Sequence, residues 1–390
     1  MTPLRLLLAL LLVLPLGAQP LEDWARALER RDVQVSAGLW ELSTGKQLEA
    51  FASTRALVPA STTKVVSTYA LLKVLKPNHV LETEVWGDLQ ADGTVAGDLV
   101  FRGGGDPCLT WERLWALVQA LKAQGVQRVR GGLRLDQGAF DAQRFAPGWE
   151  NTSADTTPPV LPFSVNHNRD ASGRITQDPE RLALEVLERM LREGGVTVER
   201  LPADPLLPAP VPRRLLALPS PPLRQMVQDV NKYSNNFMVE MLVKAFGGGT
   251  WPAGVRRIQE TCRTVLNLPP EEVVLTDGSG LSKENRLSAR TLAIVLRAAW
   301  HDFEVGPELV SSLKLVGGEP WATHAPEALA RRVRVKSGHL GGVWSLCGYL
   351  QRADGEPCVF AVILNGARAR EEDVWTLVGR WAGLPSPAGN

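Results

Sequence analysis

Histidine and cysteine are scarce in this chain. Its five histidines (His79, His167, His301, His324, His339) and four cysteines (Cys108, Cys262, Cys347, Cys358) show no spacing by which such residues share a metal ion. No metal or cofactor is therefore expected. Net charge is also small, +1, with no block of basic residues, which argues against a nucleic-acid partner. There is no Gly-x-Ser-x-Gly elbow of an α/β-hydrolase and no internal repeat. "RGGGDP" (Arg102 to Pro107) lacks the Gly-Lys-[Ser/Thr] ending of a phosphate loop and reads as a strand-end turn.

Long apolar runs are missing too, except at the start. "MTPLRLLLALLLVLPLGAQP" has Arg5, an apolar run from Leu6 to Leu16, and small residues at Gly17 and Ala18. This is the pattern of a secretory signal over residues 1–18 and is short for a membrane span. An exported protein of the periplasm or cell envelope, without a transmembrane anchor after cleavage, is expected. In that compartment the cysteines can form up to two disulfides, with three connectivities open, or remain free. The remaining chain, 44% hydrophobic and 22% charged in overall composition, can bury a substantial core.

Val33, Val35, Ala37 and Leu39 alternate up to the Ser43-Thr44-Gly45 turn, the pattern of a hairpin, and a helix follows to about Lys76-Pro77. The texture then changes to short strands ("LETEVWGDL", "GDLVFRGG", "GGLRLDQG") and helices from Trp111 to about Gln124 and from Asp178 to Glu193. The proline-rich stretch 201–222 reads as an extended connector. Beyond it the pattern predicts helices on both sides of Tyr233, near 288–301 and near 371–382. Strands are predicted around Val333–Val335, Ser345–Leu350 and Val359–Leu364. Residues 79–212 are thus expected as a smaller domain inserted between the two parts of the main one, 19–78 and 213–390.

Ser-x-x-Lys occurs three times, as Ser43/Lys46, Ser61/Lys64 and Ser311/Lys314, so the pattern alone says little. Only in "PASTTKVVSTYALL" does it combine a helix start with an apolar helical continuation, which puts Ser61 and Lys64 on one face. An ammonium group is poorly placed at the positive end of a helix, unless Lys64 serves to take the Ser61 proton. Two further stretches complete a serine acyl-transfer set: Ser234 and Asn236 in "KYSNN", and Lys336-Ser337-Gly338 in "RVRVKSGHLGGV". Alone, the first is a polar turn and the second an edge strand guarded by charge. In this order they supply a nucleophile (Ser61), its base (Lys64) and a proton relay (Ser234). Asn236 is then a clamp, and Lys336 with Ser337 receives a substrate carboxylate. Gly338 leaves room beside the strand, and the backbone N–H of His339 joins that of Ser61 as an oxyanion donor.

These motifs resemble those of the low-molecular-mass class C penicillin-binding proteins, the D-alanyl-D-alanine carboxypeptidase/endopeptidases of bacterial cell walls. "RGGGDPCLT", "GGLRLDQGAFD", "APGWE" and "DGSGLSKENRLS" resemble stretches of the same family outside the motifs. The resemblance implies the penicillin-recognising serine acyl-transferase fold, an antiparallel sheet flanked by helices with an inserted smaller α/β domain. It implies cleavage of peptidoglycan stem peptides through an acyl-enzyme on Ser61, with β-lactam antibiotics as covalent inhibitors. "DGSGLS" (Asp277 to Ser282) is expected to shape the site wall without a catalytic part. The insert is shorter than is common in the family, so its second extra domain is expected to be missing or vestigial. The alternatives are a serine β-lactamase or esterase on the same fold, and a cell-wall binding protein without turnover.

Overall fold

The computed structural model describes residues 21–149, 157–199, 213–318 and 325–384; the leader expected at 1–18 lies outside them. The chain opens with α1 (Leu21–Glu29), the hairpin β1 (Gln34–Glu41) and β2 (Gln47–Phe51), and α2 (Thr63–Leu75). Next come β3 (Glu82–Trp86), β4 (Thr94–Val95), β5 (Leu99–Arg102), α3 (Trp111–Ala123), β6 (Arg128–Val129), β7 (Leu133–Asp136), α4 (Pro179–Glu193), β8 (Thr197–Val198) and β9 (Arg214–Pro219). A helical run follows: α5 (Leu223–Lys232), α6 (Asn236–Phe246) and α7 (Trp251–Leu266). After the small pair β10 (Val273–Val274) and β11 (Arg286–Leu287) come α8 (Ala289–His301), α9 (Gly306–Ser312) and β12 (Lys314–Leu315). The chain closes with β13 (Val333–Leu340), β14 (Val343–Gln351), β15 (Pro357–Asn365) and α10 (Glu371–Trp381).

The main sheet is antiparallel throughout, in the order β12-β13-β14-β15-β1-β2. β15 lies inside it and is buried on both faces, so its apolar residues run without a break. Val359, Ala361 and Ile363 face the core shared with α2 and α5 to α8. Phe360, Val362 and Leu364 face a second core closed by α1 and α10. A separate core covers a second sheet, β7-β5-β3-β9, where Leu114, Leu117 and Leu121 of α3 and Val186 and Leu187 of α4 pack on Val85, Phe101 and Leu135. β4, β6 and β8 form a small parallel sheet of their own.

β9 falls inside the stretch expected to be an extended connector and beyond the boundary expected at residue 212. "RLLALP" pairs with β3 from Glu82↔Pro219 to Trp86↔Arg214, so its leucines join that core before Pro219 ends the strand. α7 is absent from the sequence reading because Pro252 and Gly254 look like breakers. Thr250 caps it, accepting from the Ala253 N–H, and proline fits the first helical turn. Gly254 is needed because any Cβ would overlap the Val243 carbonyl of α6. Cys108, Cys262, Cys347 and Cys358 are all free thiols. Among the described residues no helix is long and apolar enough to cross a membrane.

Candidate active site

Ser61 sits in a tight 3-10 turn, Ala60–Thr62, that feeds directly into α2. Ala60 has φ +48°, a costly value for a residue with a Cβ, and the turn is pinned around it. Thr62 Oγ1 and Ser345 Oγ of β14 donate to the Pro59 carbonyl at 2.7 and 2.6 Å, and Thr63 Oγ1 donates to the Ala60 carbonyl at 2.8 Å. Ser61 is left partly exposed at the head of an otherwise buried helix.

Lys64, in the first turn of α2, has no solvent exposure. Its Nζ lies 2.9 Å from Ser61 Oγ, 2.7 Å from Asn236 Oδ1 and 2.7 Å from the Ser279 carbonyl oxygen. Burial pulls its pKa down to about 7, against the opposing pull of Asp277 and Glu240. Asn236 reaches it because Asn235 takes the capping role, accepting from the Met238 N–H at 3.0 Å and leaving Asn236 as the first residue of α6.

Ser234 stands in the break between α5 and α6 with φ +55°. Its Oγ accepts from Lys336 Nζ at 3.0 Å, and the same ammonium donates to the Ser337 carbonyl at 2.7 Å. Lys336 is 1% exposed, and burial, Lys64 and Lys314 hold its pKa well below the usual lysine value. β12 pairs with Arg334 and Val335, and among the described residues the outer edge of β13 has no neighbour in the sheet from Lys336 onward. Ser337 and His339 are exposed there, the His339 ring stacked on Trp344 with centroids 4.0 Å apart. A Cβ on Gly338 would lie 2.8 Å from the Ser61 nitrogen and 2.9 Å from the Pro59 oxygen. Only glycine lets the strand approach the serine turn so closely.

Ser61, Lys64, Ser234, Asn236, Lys336, Ser337 and Gly338 thus meet in one cleft, with His339 at its edge. The serines of the other Ser-x-x-Lys pairs do not reach it: Ser43 is exposed with Lys46 in the β1–β2 turn, and Ser311 bonds the Glu308 carbonyl within α9, although its partner Lys314 is near enough to act on Lys336. "DGSGLS" holds more than a wall, because the Ser279 carbonyl bonds Lys64 directly. Glu240 was missed altogether. It is fully buried and accepts from the N–H groups of Gly278 and Ser279 at 3.0 and 2.6 Å and from Trp251 Nε1 at 2.9 Å. Its signal in the sequence is a lone carboxylate inside the apolar stretch "FMVEMLV".

Comparison with known proteins agrees with this geometry. The model of the D-Ala-D-Ala carboxypeptidase 3 (S13) family matches residues 21–171 and 164–377. A D-alanyl-D-alanine carboxypeptidase of Actinomadura sp. (strain R39) is 27% identical, the alignment covering 90% of this chain and 82% of that one. Carboxypeptidase DacB of Mycolicibacterium smegmatis is 28% identical over 88% and 79% of the two chains. Among solved structures, penicillin binding protein 4 of Haemophilus influenzae shares the fold with a TM-score of 0.77 at 18% identity, covering 90% of this chain and 94% of its own. The family model spans almost all of the described residues, all four sheets and all the site segments included. The chain belongs to the D-Ala-D-Ala carboxypeptidase 3 (S13) family and is a serine-type D-Ala-D-Ala carboxypeptidase.

Proposed function

We propose that this carboxypeptidase works through an acyl-enzyme on Ser61, with Lys64 as its base and the D-Ala-D-Ala ends of peptidoglycan stem peptides as substrate. The observation that carries the reading is the threefold coordination of Lys64 Nζ. Asn236 Oδ1 and the Ser279 carbonyl are acceptors only, so a neutral amine points its two N–H bonds at them and its lone pair at the Ser61 hydroxyl. Near neutral pH a substantial fraction of Lys64 is in that form, since its pKa lies at about 7.

Lys64 takes the Ser61 proton as Oγ attacks the carbonyl carbon of the penultimate D-Ala. The N–H groups of Ser61 and His339 receive the oxyanion. Ser234, bonded to Lys336, relays the proton taken up by Lys64 to the departing amine as the peptide C–N bond breaks, which returns Lys64 to its neutral form. Lys336 and Ser337 receive the terminal carboxylate, and water then hydrolyses the ester and frees Ser61. The substrate carboxylate supplies the negative charge that the buried Lys336 lacks among its neighbours. A penicillin enters the same path but leaves its acyl group on Ser61. A predatory endopeptidase of Bdellovibrio bacteriovorus, solved with penicillin G acylated to it, shares the fold at a TM-score of 0.56 and 16% identity over 89% and 90% of the chains. Export to the cell envelope, where the substrate lies, follows from the apolar leader.

Intact-mass spectrometry after penicillin treatment tests the nucleophile. One adduct, on Ser61 and absent from Ser61→Ala, is expected. An adduct on both proteins, or rapid turnover of the β-lactam without accumulation, overturns the reading.

A further inference from the structure

Between Gly278 and Gly280 two successive peptide groups lie against α2, each held at both ends. The Gly278 carbonyl accepts from Ser67 Oγ at 2.8 Å, and the N–H of the same peptide, that of Ser279, donates to Glu240 Oε1 at 2.6 Å. The Ser279 carbonyl accepts from Lys64 Nζ at 2.7 Å, and the N–H of its peptide, that of Gly280, donates to Asp277 Oδ1 at 2.9 Å. Each peptide is thus strung between a side chain of α2 and a buried carboxylate. A peptide whose N–H is bound to an acid is a stronger acceptor at its oxygen, because bonds in series polarise one another.

The two acids are built in firmly. Asp277 also accepts from Trp149 Nε1, Ser279 Oγ, the Ser282 N–H and Asn285 Nδ2, at 2.6 to 3.0 Å. Glu240 has no ion-pair partner among the described residues, and burying a carboxylate inside an apolar helix is costly. Burial and Asp277 push its pKa up to about 8, while its three N–H donors favour the ionised form. It lies one turn beyond Asn236 on α6, so one stripe of that helix touches Lys64 directly through Asn236 and again through residue Ser279, whose N–H Glu240 holds and whose carbonyl bonds Lys64. Gly280 has no room for a side chain, since with φ +81° any Cβ would overlap the Ala60 carbonyl next to Ser61.

The charged groups facing Lys64 are Asp277 and Glu240, which favour its ammonium form, and Lys336, whose own pKa Lys64 depresses. One turn beyond Glu240, Lys244 lies 4.3 Å from the Trp251 ring and is paired with Asp141. α7 presents Cys262, whose pKa burial pushes up to about 12, and the far end of α2 pairs Lys73 with Asp302.

We infer that Glu240 and Asp277 are positioning residues for the acylation base: through the Gly278–Gly280 peptides they aim the Ser279 carbonyl at Lys64 and keep its nitrogen on Ser61. The inference rests on Lys64 as the base. Glu240→Gln tests it in the full chain, alone and with Trp251→Phe. The glutamine keeps an oxygen for the two backbone N–H groups, but its NH2 meets the Trp251 N–H, and phenylalanine removes that conflict.

With labelled penicillin, Glu240→Gln is expected to lower the plateau acylation rate roughly tenfold. It should also move the rising limb of the pH profile down, because Glu240, in its ionised fraction, favours the ammonium form of Lys64. Adding Trp251→Phe is expected to restore the plateau and leave the limb displaced. A folding defect alone would scale the rate without moving the limb. If Glu240→Gln alone fails to melt cooperatively, the double variant gives the same reading from its limb. A profile that overlays wild type in a cooperatively melting variant overturns the inference while leaving Lys64 as the base. Normal acylation by Lys64→Ala overturns the base and this inference together.

Discussion

Lysine, arginine and acids occur both in the cleft and on the inserted sheet, and the two settings treat them in opposite ways. On the sheet, Arg214 of β9 lies 2.8 Å from Glu84 and 3.3 Å from Glu82 of β3, and Arg102 of β5 lies 2.7 Å from Asp136 of β7. These arginines are nearly half exposed. Partial burial works against the Glu84 carboxylate, but bonds from Arg214 and Trp86 more than offset it and hold its pKa below the usual value. Such pairs are tethered in water and contribute little. In the cleft, Lys64, Lys336 and Glu240 are stripped of water and none forms a direct ion pair within salt-bridge distance among the described residues. Burial moves Lys64 to about 7 and Glu240 to about 8 and holds Lys336 well below the usual lysine value, which costs stability and leaves Lys64 and Glu240 able to exchange protons near neutral pH. Charge on the sheet is spent on solubility and register, and charge in the cleft on chemistry.

The largest effect that would break this contrast concerns Lys64. Acylation by penicillin is expected to fall about tenfold for each pH unit below about 7, because protonation removes the lone pair that faces Ser61. Lys64→Ala is expected to remove acylation across the neutral range while still melting cooperatively. A flat stopped-flow profile through the acid range would leave the cleft no different from the sheet.

Gly338→Ala comes next. Its methyl carbon would lie 2.8 Å from the Ser61 nitrogen, so β13 must retreat from the serine turn. A loss of roughly 100-fold in acylation rate is expected, the penalty of a misplacement near one ångström. A wild-type rate would show that the strand does not help to form the oxyanion site.

On the inserted unit the expected effects are on stability rather than chemistry. Leu117 of α3 is fully buried in that core, and Leu117→Ala should cost about 2–5 kcal/mol in denaturant unfolding. The acylation rate per folded molecule should stay unchanged. The smallest effect belongs to Arg214→Ala, expected within about 1 kcal/mol of wild type. A larger loss there would mean that the surface pairs act as a network.

Most strands and helices could be read before the structure, because their apolar periods match their faces and their ends carry caps. Thr110 accepts from the Arg113 N–H and Asp178 from the Arg181 N–H at the starts of α3 and α4. What went unread depended on partners far along the chain. Pro252 and Gly254 look like breakers until α6 lies against them, and "RLLALP" looks like linker until β3 offers an edge. Within the site, Ser61, Lys64, Ser234, Asn236 and Lys336 are visible as motifs because Ser61 and Lys64 share one helical face and the rest stand at characteristic short spacings. Glu240 and the Ser279 carbonyl belong to no motif, since one is a single acid in an apolar run and the other a backbone atom.

By itself the sequence determined the chemistry on offer: a serine one helical turn from a lysine, an apolar leader, and few histidines and cysteines. Side-chain identity and local spacing are enough for that, because a helix brings neighbours three and four residues apart onto one face. Only the tertiary structure decided that the pKa of Lys64 falls to about 7, so that a substantial fraction of it is neutral amine near neutral pH. Its proton affinity depends on the water removed by α6, on the Asp277–Gly280 turn and on the acids Asp277 and Glu240, none of which lies near it in the chain.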